Sequence, residues 1–162
     1  MSRVDLGAWL VWGFAATVVL TTILSAAQGL RFTRMSLPFL LGTVATRKRD
    51  RANVVGFIVH LLNGWIVAGV YVAIFHAAGE AGWWRGAILG TVHAAFVLTA
   101  LMKVLPGFHP RMAGEHSGPD VTRQLEPPGF LALNYGVATP VWVLVAHVIY
   151  GIILGSFYRV PP

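Results

Sequence analysis

Cysteine is missing from all 162 residues, which excludes disulfides, thiolate metal sites and cysteine nucleophiles. Charge is scarce: Asp, Glu, Lys and Arg make up 11% of the chain, against about 25% in an ordinary soluble domain. Acidic residues are the fewest, six against twelve Lys plus Arg. There are no paired carboxylates, no Ser-His-Asp spacing and no glycine loop that would cradle a phosphate, so the expectation is a non-enzymatic protein. Nine Pro and 18 Gly are too few and too scattered for a fibrous or disordered chain.

What is present is apolar. Hydrophobic residues account for 56% of the chain, and the mean hydropathy is +0.69. A water-soluble protein of this size could not hide so much apolar surface, so lipid is the expected solvent and the bilayer the first partner. A helix needs about 20 apolar residues to cross the hydrocarbon core. Four stretches qualify, at 8–30, 54–75, 86–105 and 140–158. The reading is therefore all-α, a four-helix transmembrane bundle in a single domain over 1–162, with connections at 31–53 and 106–139. Ser25-Ala26-Ala27 resembles a signal-peptidase site. However, Arg3 is offset by Asp5, and the apolar run exceeds the usual core of about 7–15 residues, so the first span is read as uncleaved. Thr139-Pro140 suggests an N-cap followed by proline at the first helical position.

The formal net charge of +6 does not point to nucleic acid, because the basic residues flank the apolar runs. Arg31, Arg34, Arg47, Lys48, Arg49 and Arg51 fall in the first long connection, and Lys103, Arg111 and Arg123 at or in the last. Only Arg3, Arg85 and Arg159 lie on the other side. This bias puts both long connections in the cytoplasm and both termini outside. Trp9, Trp12, Trp83, Trp84 and Tyr158 are then expected to form an outer aromatic belt.

Two spans share a pattern. His60, Gly64, Ala68 and Tyr71 repeat in spacing as His147, Gly151, Gly155 and Tyr158, and at about 100° per residue each set falls on one helical stripe. A short apolar segment precedes each, Leu37–Thr46 and Phe130–Thr139, too short to span and suited to an interfacial position. Two parallel helix-hairpin repeats, related by an axis along the membrane normal, would account for both likenesses. Gly64 and Ala68, Gly86 and Gly90, and Gly151 and Gly155 form small-x3-small pairs. These are expected to let helices pack closely within the bundle, or across a homodimer.

Three histidines, His60, His93 and His147, lie inside the spans, and an ionisable group there is a functional lead. Three uses are open. Each could be neutral and bonded to Asn63, Thr91, Thr99, Tyr150 or a backbone carbonyl. His60 and His147, with His93, could ligate a haem or metal as a cofactor. Or the imidazoles could relay protons or ions. His109, Glu115, His116 and Asp120 match no zinc spacing and are expected to be a solvated polar loop.

His60-Leu-Leu-Asn63-Gly64, Leu105-Pro-Gly-Phe-His109-Pro-Arg-Met112, Leu125-Glu-Pro-Pro-Gly129 and His147-Val-Ile-Tyr150-Gly151 resemble uncharacterised bacterial four-span membrane proteins. The His-x2-Tyr-Gly element is similar to one in the YagU-like group. The resemblance implies an integral protein of the bacterial cytoplasmic (inner) membrane and carries no ligand or reaction. The expected role is an accessory subunit or a small oligomeric permease-like element, acting in a homo-oligomer or a larger membrane complex. The alternative is a membrane redox protein ligated through the histidines.

Overall fold

The computed structural model describes residues 3–114 and 118–161. Four long apolar helices dominate it: α1 (Leu6–Gly29), α3 (Arg49–Ala78), α4 (Trp83–Phe108) and α5 (Thr139–Phe157). A shorter helix, α2 (Leu37–Ala45), precedes α3, and a 3-10 segment (Phe130–Tyr135) precedes α5. Among the described residues there is no strand; Met112 and Leu125 form an isolated bridge. The four spans expected from hydropathy are thus present as helices packed together.

Local chemistry sets several of the helix ends. The Asp5 carboxylate accepts from the Ala8 amide at 2.9 Å and so satisfies one of the free N–H groups that open a helix. Gly79 closes α3 at φ 75°, a left-handed conformation that glycine adopts without a Cβ penalty. Two boundaries differ from expectation. α3 starts at Arg49 rather than near residue 54, because backbone hydrogen bonds propagate through Arg49, Asp50 and Arg51 without needing apolar side chains. Thr139 is the first residue of α5 and not its cap; Ala138 holds the cap position, and the Thr139 hydroxyl bonds that of Thr33 at 2.6 Å.

Small residues decide which helices meet. A Cβ on Gly86 would collide with the Gly151 carbonyl, and one on Gly90 with that of His147, so α4 and α5 run backbone against backbone. Gly64 sits against the Thr17 side chain, and a Cβ on Gly13 would lie 3.0 Å from that of Ala68, seating α3 on α1. Two indoles clamp this seam reciprocally. Trp9 Nε1 donates to the Trp65 carbonyl (2.9 Å) and Trp65 Nε1 to the Leu10 carbonyl (2.8 Å). α1 also packs on α5, with Trp12 stacked on Phe157 at 4.3 Å. The short α2 folds back on α3, Gly42 against Ala52 and Gly56 against Pro38. The order of long helices is therefore α3–α1–α5–α4. Consecutive members of this row are packed, while α3 and α4, neighbours in sequence, hardly touch along their length.

Both hairpins, α1–α3 and α4–α5, run in the same direction, as parallel repeats require. They are nevertheless not equivalent. The first carries a regular α2, whereas the corresponding segment in the second places Leu131 and Ala132 in the left-handed region (φ 53° and 59°). A twofold axis would pair the α1–α5 contact with an α3–α4 contact, and only the former is packed along its length; α3 and α4 meet through side chains such as Tyr71 and His93. The outward faces are apolar throughout, with Leu62, Ile66 and Val70 on α3 and Ile88, Val92 and Phe96 on α4 exposed. In water such a surface would aggregate; it fits hydrocarbon.

The end of the bundle that carries the long connections, called here the loop end, is tied by polar contacts. The Arg34 amide donates to the Tyr135 carbonyl (2.7 Å), the Arg34 guanidinium pairs with Glu126 (3.0 Å) and also reaches the Asn134 carbonyl, and Tyr135 Oη donates to the Glu126 carbonyl (2.7 Å). At the opposite, terminal end, Trp83 and Trp84 are exposed as a belt requires. Tyr158, expected beside them, is fully buried, because its hydroxyl lies 2.7 Å from His76 Nε2 and its ring stacks on Phe75.

Candidate functional site

The unpacked seam between α3 and α4 encloses a cavity of about 330 Å³. His60, Asn63 and Gly64 of α3, His93 of α4 and His147 and Tyr150 of α5 line one part of it. At 1.5 Å per residue, His60 is about 16 Å and His147 about 12 Å from the loop-end start of its helix, so this polar part lies near mid-depth. Leu37, Leu40 and Leu41 of α2, with Leu105 of α4, line the part toward the loop end. Asn63, Ile66 and Phe96 line the cavity and are also exposed on the outer surface. The mouth of the cavity is therefore lateral, facing the lipid side between α3 and α4. No charged side chain lines it.

The structure brings the three intramembrane histidines together. The rings of His93 and His147 meet edge to face with centroids 4.5 Å apart. Tyr71 and Tyr150 complete the group: Tyr150 is 5.4 Å from Tyr71 and 6.1 Å from His93, all in edge contacts. Tyr150 Oη donates to the Gly64 carbonyl at 2.7 Å, crossing from α5 to α3. His93 Nδ1 lies 3.3 Å from Tyr71 Oη. His147 Nδ1 lies 2.7 Å from the Val143 carbonyl one turn earlier. A carbonyl only accepts, so Nδ1 carries the proton and the Nε2 lone pair of neutral His147 remains an acceptor. His60 differs from the other two. Its Nε2 is buried with no hydrogen-bond partner, the only such side-chain atom among the described residues.

Of the partners foreseen for the histidines, a backbone carbonyl is used, and His93 takes a tyrosine that was not among them. The tyrosine is Tyr71, from the repeated stripe, rather than Tyr150. Thr91 and Thr99 bond carbonyls of their own helix, Ala87 at 2.9 Å and Ala95 at 2.7 Å, as threonines do when no better acceptor is in reach. Gly64, Ala68, Gly86, Gly90, Gly151 and Gly155 all lie on faces between helices of this bundle. In α4 the cavity wall includes one π turn, Val97–Leu101, an irregularity that recurs at functional sites.

The connection after α4 holds a feature that spacing did not disclose. His109 is 3% exposed and latches the connection onto α2. Its Nε2 is 3.0 Å from the Leu40 carbonyl and 3.3 Å from Thr43 Oγ1, while Nδ1 accepts from the Arg111 amide at 3.1 Å. These partners require the neutral Nε2–H tautomer. Burial holds the imidazole below its ordinary pKa of 6.5; the Leu40 hydrogen bond opposes that shift and the Arg111 charge adds to it. Asp120 turns elsewhere, accepting from the Thr122 and Arg123 amides; Glu115 and His116 lie outside the described residues. Among the described residues no three His, Asp or Glu side chains gather closely enough to hold a metal ion.

No family model matches the chain, and no curated protein or solved structure is significantly similar to it.

Proposed function

We propose that the chain is a non-enzymatic integral protein of a bacterial cytoplasmic membrane, a small permease-like element whose binding chamber is the cavity between α3 and α4. The observation that carries this reading is the open seam. Three helix contacts are closed, while the fourth leaves an apolar, laterally open chamber ending on polar side chains near mid-depth. Mostly apolar cavities with a few convergent polar groups are the usual form of small-molecule sites. Toward the terminal end the bundle is filled by Phe75, Leu154 and Tyr158. One copy thus offers a chamber without a through-route, which favours action with a second copy or within a larger membrane complex. The basic connections support a cytoplasmic loop end, and the likeness to the YagU-like group belongs to the same proposal.

Native mass spectrometry of protein extracted in mild detergent tests the reading. The wild type should carry a bound small molecule, and Val67→Trp, which fills the chamber, should lose it. A wild type that carries nothing, or a variant that retains the same adduct, would end the proposal.

A redox role has one observation in its favour: His60 and His147 both line the cavity, and His60 Nε2 is buried with no hydrogen-bond partner. Ligation of a haem by these two would give the purified protein a Soret band that His60→Ala or His147→Ala removes. A colourless preparation rejects it.

A further inference from the structure

We infer that the chamber takes an uncharged single-chain amphiphile, with a hydroxyl-type head at His60 and His147 and a hydrocarbon tail running toward the loop end. The inference rests on the proposed function and specifies its ligand.

Polarity along the chamber sets the orientation. Imidazoles and the Asn63 amide are grouped near mid-depth, whereas the walls toward the loop end are leucines. This is the reverse of a bilayer phospholipid, whose polar head sits at the surface and whose chains reach the midplane. A phospholipid entering through the lateral mouth would bring methyl groups to the histidines and leave its phosphate outside. A single-chain molecule free to invert within the bilayer satisfies both ends.

The lining excludes a charged head. No Lys, Arg, Asp or Glu contributes to it, and an isolated carboxylate or ammonium transferred there would lose its hydration without compensation. The polar atoms present suit a hydroxyl. His147 offers an Nε2 lone pair, its proton being held by Val143 on the other nitrogen. His60 offers a buried Nε2 with no partner in the protein, and a buried polar atom is costly until it is bonded. A hydroxyl donates one bond and accepts another, so it suits a ring that offers a lone pair as well as one that offers an N–H.

Volume sets the size. The cavity of about 330 Å³ has room for one medium-length chain. A ten-carbon alcohol matches, and a two-chain lipid does not.

The test uses the full chain in nanodiscs, titrated with 1-decanol, decane and decanoate, with protein-free discs subtracted and ¹⁵N-labelled histidine as reporter. Decanol should bind saturably and shift imidazole resonances. Decane should bind at least about fivefold more weakly, the worth of one hydrogen bond, and decanoate should not compete. His60→Leu should remove the preference for decanol over decane, and Val67→Trp should remove binding of both. If Val67→Trp does not fold, Val97→Trp takes its place. Equal binding of decane and decanol, or tighter binding of decanoate, overturns the inferred head group while leaving the chamber standing. Saturable binding that survives the tryptophan variants, or no saturable binding by any probe, overturns the chamber itself.

Discussion

At the scale of single residues, buried hydroxyls and imidazoles carry the specificity of the packing. Thr33 is 4% exposed and Thr139 fully buried. Their hydroxyl pair, with the Met35 amide donating to Thr33 Oγ1 at 3.0 Å, joins the turn after α1 to the start of α5. Thr33→Val leaves the Thr139 hydroxyl and the Met35 amide without that partner and should destabilise the protein by about 1–3 kcal/mol, measured by thermal unfolding in detergent. Thr22→Val, which loses only an exposed bond within α1, should change little.

His109 provides a pH test. Its folded-state pKa lies below the ordinary 6.5. As pH falls through 6.5 the unfolded chain therefore takes up a proton that the folded chain refuses, and stability declines until the folded-state pKa is passed. Unfolding midpoints of wild type and His109→Gln compared from pH 7.5 to 5 should fall with unequal slopes, the wild type losing more. Parallel pH profiles would mean that the latch does not titrate. The histidine is recognisable in the sequence, but its role is not, because the Leu40 carbonyl that orients it lies 69 positions away.

At the scale of elements, small-x3-small pairs announced close helix contacts, and the structure assigns each pair a partner. Gly86 faces Gly151 and Gly64 faces Thr17; the spacing alone could not have distinguished these from other pairings, since any two such stripes are compatible. Gly86→Ala drives a methyl into the Gly151 backbone, which cannot yield as a side-chain tip would. It should cost about 1–3 kcal/mol or more, in the range of overpacked cores. Gly107→Ala, where a Cβ meets open space, should be neutral or slightly stabilising through helix propensity, by up to about 1 kcal/mol. Equal effects of the two in a denaturation assay would contradict the assigned α4–α5 contact. The two short segments show the same limit. Both read as apolar decapeptides, yet Pro38 opens a regular helix, while Gly129 at φ 70° and Gly136 at φ 127° bracket a left-handed kink.

At the scale of the whole molecule, the apolar outer surface requires an amphiphile, and the basic connections require a side. The chain has no cysteine, so single replacements report topology cleanly. In intact cells Arg47→Cys should resist an impermeant maleimide until the membrane is opened, and Glu80→Cys, in the turn between α3 and α4, should react at once. The opposite pattern would invert the proposed orientation.

The sequence by itself determined the solvent, the number of spans, their approximate limits and the residue types available for chemistry. Length and polarity along the chain are local properties, and a bilayer reads them one segment at a time. Which seam stays open was decided only in three dimensions. Hydropathy is the same for a helix face against lipid and one against another helix, so nothing in the apolar runs says that α1 meets α5 while α3 and α4 remain apart. That choice turns on steric fit between stripes far apart in sequence, and it is what gathers His60, His93 and His147 from three helices around one cavity.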